Sequence, residues 1–235
     1  MKRLFGTDGI RGKANVYPMS PDLVLHLGQA LGLYFKDAQQ HPRILIGKDT
    51  RRSCYMLEQV LSAGICSVGV ETYFCGPLPT PGVAYLTRGM RASAGVVISA
   101  SHNPFEDNGI KIFSANGYKL PDKEEAALEA LIEEQRQNRK LPTGAEIGRS
   151  SRIDDAIGQY CVFLKEQFPK HLKLDGLRIV VDCANGAGYK VAPKVFRELG
   201  AEVFELGVTP NGTNINQNCG ALHPRTLQEH VLLYK

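Results

Sequence analysis

Two stretches of the chain repeat one pattern of strand, polar loop, helix, glycine and strand, and this repeat constrains the fold more than any other feature. The first stretch begins at RILIGKDT (43–50) and reaches its second strand after Gly69. The second begins at RIVVDCANG (178–186) and reaches its second strand after Gly200. Each has the order of a βαβ unit, in which a helix connects two parallel strands. The repeat therefore predicts two α/β domains of related build, with function in the loops that follow the strands.

A polar, glycine-containing segment, LPTGAEIGRSS (141–151), lies between the two repeats. It follows an acidic helical pattern that begins near Asp122. Such segments are typical of domain boundaries. We therefore predict one domain over residues 1–145 and a second over residues 146–235.

The composition is that of a folded protein without signals for nucleic-acid or membrane binding. Hydrophobic residues make up 43% of the 235 positions, which is typical of a chain with a packed core. The formal net charge is +4, and its largest clusters, 48–52 and 136–140, are short, so we expect no nucleic-acid partner. No apolar run is long enough to span a bilayer, and no hydrophobic segment follows the basic N-terminus. The six cysteines show no metal-binding spacing. These three observations together predict a reduced, cytoplasmic protein with no membrane partner.

The segment VVISASHNPFEDNGIKIF (96–113) places a polar loop between two predicted strands. Its apolar start predicts a buried strand, and the Asn108-Gly109 pair predicts a turn before the extended pattern resumes. Ser101 and His102 lie in the loop. Loops that are held by rigid strands often carry chemistry, so this loop is the first candidate for a functional site.

Three roles are open for Ser101. A serine in a turn commonly hydrogen-bonds nearby backbone. A hydrolase nucleophile fits poorly, because the G-x-S-x-G elbow is absent and His102, the next residue, is badly placed to act as its base. A phosphoryl carrier uses the surroundings best, because a serine hydroxyl can hold a phosphoryl group between two transfers while Lys111 and Arg11 neutralise its charge. Lys111 or His102 could also move protons on a substrate oxygen.

Two further loops are weaker candidates. FGTDGIRG (5–12) has three glycines around an Asp and an Arg, which indicates a backbone that approaches another group closely, although a flexible N-terminal start has the same composition. GKDTRRS (47–53) could bind phosphate through its basic residues. For that loop we favour Asp49 and Thr50 as turn or helix-cap residues, with the basic side chains partly solvated.

Several segments together resemble the α-D-phosphohexomutase superfamily. The similarity runs in order through FGTDGIRGKAN, GKDTRRS, GPLPTPGVAYLTR, AGVVISASHNPFEDNGIKIFSANGYKLPD, DCANGAGYKVAP and PNGTNINQNCG, and it covers almost the whole chain. FGTDGIRG, ISASHNP and NIN..CG favour the branch that acts on glucosamine phosphates over the phosphomannomutase/phosphoglucomutase branch. The resemblance implies an α/β fold of two consecutive three-layer α/β/α domains with mixed sheets, the second of them incomplete.

The resemblance also implies a role for each candidate residue. Ser101 matches the family's phosphoserine, which phosphorylates glucosamine 6-phosphate and recovers a phosphoryl group from the 1,6-bisphosphate, leaving glucosamine 1-phosphate. Lys111 and His102 match catalytic residues beside it, and Arg11 matches the arginine that faces the phosphoryl group. The phosphate on Ser101 would also be one ligand of the family's Mg²⁺. The implied protein is an isomerase of amino-sugar nucleotide and cell-wall precursor synthesis that binds a hexosamine phosphate and often forms a homodimer.

The chain departs from the family pattern in one respect. Family members carry a DGDxDR-type loop whose aspartates hold Mg²⁺, and no Asp-Gly-Asp occurs in these 235 residues. Mg²⁺ usually needs one or two protein carboxylates besides phosphate, so Ser101 alone should hold it poorly. We therefore expect the chain by itself to be inactive, or nearly so, as a mutase. The alternatives are a non-catalytic α/β module and a phosphatase or other phosphotransferase that uses Ser101 differently.

Overall fold

The computed structural model describes residues 4–38, 41–135 and 141–234, so the basic cluster 136–140 lies outside the described residues. The strands are β1 (Ile10–Lys13), β2 (Arg43–Lys48), β3 (Glu71–Pro77), β4 (Ala94–Ile98), β5 (Asp107–Ser114), β6 (Ser150–Arg152), β7 (Arg178–Asp182) and β8 (Glu202–Leu206). The α-helices are α1 (Pro21–Ala38), α2 (Arg52–Ser67), α3 (Thr80–Gly89), α4 (Asp122–Gln135), α5 (Ala156–Gln167), α6 (Val191–Glu198) and α7 (Arg225–Leu233). Among the described residues, no helix is both long and apolar enough to cross a membrane.

The larger sheet is mixed and has six strands in the order β1-β5-β4-β2-β3-β6. Its centre is parallel, because β2 pairs in parallel with both β4 and β3. β5 runs antiparallel to β4 and to β1. All five residues of β4 are buried, as the apolar run before the serine loop predicts for a strand covered on both faces. The predicted α/β class is confirmed.

Helices cover both faces of this sheet. Successive residues of a strand point to opposite faces, and β2 shows this directly. Ile44 and Ile46 enter a core that is formed with α1, α2 and α4, whereas Leu45 enters a second core with α3 and α5. On that second face, Tyr85 of α3 stacks on Phe163 of α5 with ring centroids 4.0 Å apart. The first unit is therefore a three-layer α/β/α arrangement.

The second repeat forms a smaller unit around two parallel strands, β7 and β8. Helix α6 connects them, which gives the βαβ order that the sequence repeat predicts. Val191 and Val195 of α6 belong to the same core as Tyr160 of α5. The two repeats therefore share a core through α5.

Two details differ from the sequence interpretation. Asn108 and Gly109 form no turn: they are paired residues of β5, opposite Gly12 and Arg11 of β1, and the chain reverses earlier, in the loop before β5. A Cβ on Gly109 would lie only 2.9 Å from the Ile10 carbonyl oxygen, so this glycine allows close strand packing. The polar segment before α5 is not only a linker, because its residues 150–152 pair with β3 as the edge strand of the larger sheet. The division at residue 145 stays a prediction.

Candidate active site

Ser101 lies in the loop that follows β4, where it is exposed to solvent. Its φ is 55°, in the left-handed region, which costs a non-glycine residue about 1–2 kcal/mol. Two local hydrogen bonds hold this conformation: the Ser101 amide donates to Ser99 Oγ at 3.1 Å, and the Asn103 amide donates to the Ala100 carbonyl at 3.1 Å. Non-glycine residues in such conformations are concentrated at functional sites. The loop thus presents the serine on a fixed backbone.

Arg51 holds the serine loop through hydrogen bonds to its backbone. Its side chain is fully buried, and Nη2 donates to the carbonyl oxygens of Ser101 at 3.1 Å and of Asn103 at 2.7 Å. Its Nη1 forms an ion pair with the Asp49 carboxylate. The expectation that the basic residues of GKDTRRS are partly solvated is therefore wrong for Arg51, although Arg52 is exposed. The side chain is buried because two carbonyl groups and a carboxylate replace its water.

Asp49 connects this buried arginine to the serine loop by a second route. Its Oδ2 accepts a hydrogen bond from Ser99 Oγ at 2.6 Å, and Ser99 Oγ in turn accepts from the Ser101 amide. Its Oδ1 accepts from the Arg51 amide at 3.0 Å and from Cys54 Sγ at 3.1 Å. Burial raises the pKa of the Cys54 thiol well above its usual value, and the Asp49 charge adds to this effect. Cys54 is therefore a neutral hydrogen-bond donor in this network.

Lys48 is also buried, and it too contradicts the expectation of a solvated basic loop. Its side chain is 2% exposed and forms an ion pair with Glu58 of α2. The Lys48 Nζ also lies 3.8 Å from the centre of the Tyr55 ring, a cation–π contact. This pair joins the end of β2 to α2 and thereby supports the loop that carries Asp49 and Arg51.

Arg11 and Lys111 come together through one carboxylate. Arg11 lies on β1 and Lys111 on the adjacent strand β5. The distance from Asp8 Oδ2 to Arg11 Nη2 is 3.0 Å, and that from Asp8 Oδ1 to Lys111 Nζ is 3.9 Å. Because two cations share one carboxylate, the cluster keeps a formal charge of +1. Both side chains are about 30% exposed, at 31% for Arg11 and 27% for Lys111, so the cluster is open to an anion from solvent.

The start of the serine loop and the Arg11 side chain meet at Gly109. A Cβ at this position would lie 2.9 Å from the Ser99 carbonyl oxygen and 3.1 Å from Arg11 Cγ. Gly9 has a related function, because its φ is +84° and an added Cβ would lie 2.2 Å from the Ile110 carbonyl oxygen. The FGTDGIRG segment is therefore packed closely against β5, as its glycines predict, and is not a flexible start.

His102 lies beside Ser101 in the loop and is exposed. It lines a cavity of about 620 Å³ that also contains Glu106, Asn216 and His223. Within the described part of the chain, no hydrogen bond or ion pair joins the side chain of Ser101 or His102 to Arg11 or Lys111. The four predicted residues thus form two groups: Ser101 and His102 lie on the loop after β4, and Arg11 and Lys111 lie on β1 and β5.

Sequence reasoning missed Arg51 as a partner of the serine loop, and it missed Asn216. Asn216 Nδ2 donates to the carbonyl oxygens of Ser101 and Asn103 at 3.0 Å each. A signal for Arg51 was present, because β2 and β4 are adjacent parallel strands whose following loops must meet at one edge of the sheet. Asn216 lies in the NIN..CG segment that the family resemblance includes, but no local signal predicts its contact with Ser101, which lies 115 residues away in the chain.

The residues that the structure describes contain no group of three or more His, Cys, Asp or Glu side chains placed to hold a metal ion. Asp8, the carboxylate between Arg11 and Lys111, is already engaged by both cations. Ser101 is the one Mg²⁺ ligand that the family resemblance assigns to this chain. The described residues therefore do not fit a complete Mg²⁺ site.

More than half of the chain matches one known protein family. Residues 2–139 match the family described as phosphoglucomutase/phosphomannomutase, α/β/α domain I. This match covers more than half of the chain and includes all four predicted site residues. The chain therefore belongs to the phosphoglucomutase/phosphomannomutase family.

The curated relatives of this chain carry a more specific name. It is 61% identical over 231 residues to a phosphoglucosamine mutase from Citrifermentans bemidjiense, covering 98% of this chain and 51% of the relative. A phosphoglucosamine mutase from Pelobacter propionicus is 60% identical, with the same coverage. The chain thus spans about half the length of the curated relatives it matches.

Solved structures support the fold. A phosphoglucomutase/phosphomannomutase family protein from Burkholderia thailandensis superposes with a TM-score of 0.79 at 26% identity, covering 97% of this chain and 49% of that one. The phosphoglucomutase pp63/parafusin from Paramecium superposes with a TM-score of 0.62 at 16% identity, covering 90% of this chain and 44% of that one. The second likeness concerns the fold alone.

Proposed function

We propose that this chain supplies the phosphoserine loop of a phosphoglucosamine mutase, which interconverts glucosamine 6-phosphate and glucosamine 1-phosphate through the 1,6-bisphosphate. The observation that carries the proposal is the 61% identity to a curated phosphoglucosamine mutase over 98% of this chain. Ser101 is exposed and left-handed, and the Arg11 side chain and the Ser99 carbonyl at the start of the serine loop both lie near Gly109. This arrangement supports the proposal, because phosphoryl transfer needs a fixed carrier and positive charge around it. The phosphomannomutase/phosphoglucomutase activities are the alternative within the family.

The proposed reaction consists of two phosphoryl transfers. In the first, the bond between phosphorus and Ser101 Oγ breaks, and a bond forms between phosphorus and the free C1 hydroxyl oxygen of glucosamine 6-phosphate. The hydroxyl proton leaves for a base, for which Lys111 or His102 is proposed, and Ser101 Oγ regains a proton. The 1,6-bisphosphate then turns over in the site. In the second transfer, the bond between phosphorus and the C6 oxygen breaks while a bond forms between phosphorus and Ser101 Oγ. The Ser101 hydroxyl proton leaves for the base, the C6 oxygen gains a proton, and glucosamine 1-phosphate is released from the restored phosphoserine.

In this scheme the cations act by charge and geometry. Arg11 presents a planar guanidinium whose two-pronged shape suits phosphate oxygens, and Lys111 presents a compact charge that can follow the moving group. Asp8 holds both side chains near one point, at 3.0 and 3.9 Å from their nitrogens. A phosphoryl group entering this cluster would compete with Asp8 for both cations, and it would neutralise the remaining positive charge.

Mg²⁺ is part of the proposal only through the family resemblance. In that family it offsets the phosphate charge during transfer. The described residues do not fit a complete site for it. A hexosamine phosphate substrate, a cytoplasmic location, association into a homodimer, and the absence of nucleic-acid and membrane partners belong to the same proposal.

A chimera tests this function. Residues 1–235 of this chain would replace the matching segment of the Citrifermentans bemidjiense phosphoglucosamine mutase, and conversion of glucosamine 6-phosphate would be measured with Mg²⁺. We expect an active chimera that loses activity on Ser101→Ala, and no measurable conversion by the 235-residue chain alone. A folded chimera without activity, or one that keeps its activity after Ser101→Ala, would refute the proposal. A chimera that prefers mannose or glucose phosphates would favour the alternative.

A further inference from the structure

The serine loop is held from two sides, and the second side belongs to the smaller unit. Arg51 Nη2 and Asn216 Nδ2 both donate to the carbonyl oxygens of Ser101 and Asn103. Each carbonyl oxygen thus accepts two hydrogen bonds, which uses both of its lone pairs. Arg51 reaches these oxygens from the loop between β2 and α2, whereas Asn216 reaches them from the loop between β8 and α7.

Asn216 is itself fixed in place. Its φ is 59°, and its backbone amide donates to the Ala184 carbonyl at 2.9 Å. The Asp182 carboxylate at the end of β7 accepts from the amides of Ala184 at 2.8 Å and Gly220 at 2.6 Å. The loop that carries Asn216 is therefore tied at two points to the end of β7. Its side-chain amide is a preset donor and not a surface group that happens to lie nearby.

Other contacts join the same two surfaces. The Arg52 amide donates to the Gly212 carbonyl at 2.8 Å, and Thr50 Oγ1 donates to the Asn185 carbonyl. These bonds hold the loop after β2 against the smaller unit. Of the hydrogen bonds between the two units, those of Asn216 reach the residue proposed to carry the phosphoryl group.

We propose that Asn216 is a positioning residue for Ser101. The orientation of the Ser101 carbonyl sets the ψ angle of that residue, and a left-handed serine needs such support to persist. By holding this carbonyl and that of Asn103, Asn216 fixes the backbone that sets the direction of the Ser101 Cα–Cβ bond, so that alignment of the carrier depends on the smaller unit. The catalytic part of this inference rests on the proposed phosphoserine function, whereas the contact itself does not.

The test compares Asn216→Gly with Asn218→Gly. Glycine accepts a positive φ, so Asn216→Gly removes the amide without imposing backbone strain. Asn218 is a matched control, because it lies in the same loop with a φ of 53° and its side chain is exposed. The first readout is hydrogen exchange at the amides of Ser101 and Asn103 in the intact chain. The second is the rate at which α-D-glucosamine 1,6-bisphosphate phosphorylates Ser101 in the chimera with the Citrifermentans bemidjiense enzyme and Mg²⁺, followed by intact mass over a range of concentrations.

We expect exchange at the two amides to be about tenfold faster in Asn216→Gly, the effect of losing one or two net hydrogen bonds. The limiting rate of phosphorylation should fall by about tenfold at an unchanged half-saturating concentration, and Asn218→Gly should change neither value. A purely structural role would not separate these two kinetic constants.

Exchange in Asn216→Gly that matches the wild type or Asn218→Gly would overturn the contact and the proposal with it. An unchanged limiting rate with a raised half-saturating concentration would overturn the positioning role. If the chimera that keeps Asn216 takes up no phosphoryl group, both the phosphoserine function and this role fail. Exchange then still decides whether Asn216 holds the loop.

Discussion

Replacing Arg51 with alanine should destabilise the fold strongly. The Arg51 side chain is 0% exposed, and its partner Asp49 has a side chain that is 5% exposed. Without the guanidinium, the Asp49 charge stays buried. The hydrogen-bond donors that remain are neutral: Ser99 Oγ, Cys54 Sγ and the backbone amide of residue 51. Removing one partner of a buried ion pair typically costs about 3–5 kcal/mol, which is a large share of the roughly 5–15 kcal/mol that stabilises a domain. We therefore expect Arg51→Ala to lower the free energy of unfolding by about 3–5 kcal/mol.

Equilibrium unfolding in urea, followed by circular dichroism, measures this change as a shift of the urea midpoint when the slope of free energy against urea concentration is unchanged. Arg52→Ala is the matched control: the neighbouring side chain is exposed, so its loss should change the free energy by less than about 0.5 kcal/mol. Asp49→Asn in the Arg51→Ala background should recover part of the loss, because it removes the uncompensated charge. If Arg51→Ala costs no more than Arg52→Ala, the buried network beneath Ser101 is refuted.

Three further predictions concern the surroundings of the site. Lys48→Met should lower the free energy of unfolding by about 3 kcal/mol, because Glu58 keeps a buried charge without its partner. The double variant Lys48→Met/Glu58→Leu should lower it by less, and equal urea midpoints for the single and double variants would contradict this. Gly9→Ala should lower the free energy of unfolding by more than about 1 kcal/mol, because the φ of Gly9 is +84° and the new Cβ would lie 2.2 Å from a carbonyl oxygen. Gly6→Ala is the control, because the nearest atom to its new Cβ would be 3.5 Å away. Equal thermal midpoints for the two variants would refute the close packing. Burial raises the pKa of Cys75 to about 12, so the unfolded thiol loses its proton first and the free energy of unfolding should fall as pH rises from about 9 towards 12. Cys75→Ala should reduce that slope, and an unchanged slope would contradict the burial effect.

Most of the fold follows from local patterns in the sequence. The apolar run before the serine loop predicts a buried strand, and the structure places β4 there with all five residues buried. The strand-and-loop alternation predicts the βαβ order of both repeats. What failed depends on tertiary context. Asn108-Gly109 carries a turn signal, but both residues lie in β5. Gly109 is needed there because a side chain would clash with β1 and with the Ser99 carbonyl, which both approach β5 closely.

The candidate site is predictable only in part for the same reason. Ser101 is recognisable because a polar loop follows an apolar strand, and Arg11 and Lys111 because phosphate needs cations. The burial of Arg51 could not be predicted, since it depends on two carbonyl groups 50 and 52 residues further along the chain. The contact that Asn216 makes could not be predicted either, because only the docking of the smaller unit brings its amide to the serine loop. The structure shows how the loop is held, whereas the roles of the four site residues stay predictions.

The proposal that Ser101 carries a phosphoryl group is tested most directly by mass spectrometry of the chimera with the Citrifermentans bemidjiense phosphoglucosamine mutase. The chimera would be incubated with α-D-glucosamine 1,6-bisphosphate and Mg²⁺, and fragmentation would distinguish Ser101 from Ser99. We predict a stable gain of one phosphoryl group on Ser101, which is absent from Ser101→Ala. No gain in mass under these conditions, or a phosphoryl group on another residue that persists in Ser101→Ala, would contradict the claim.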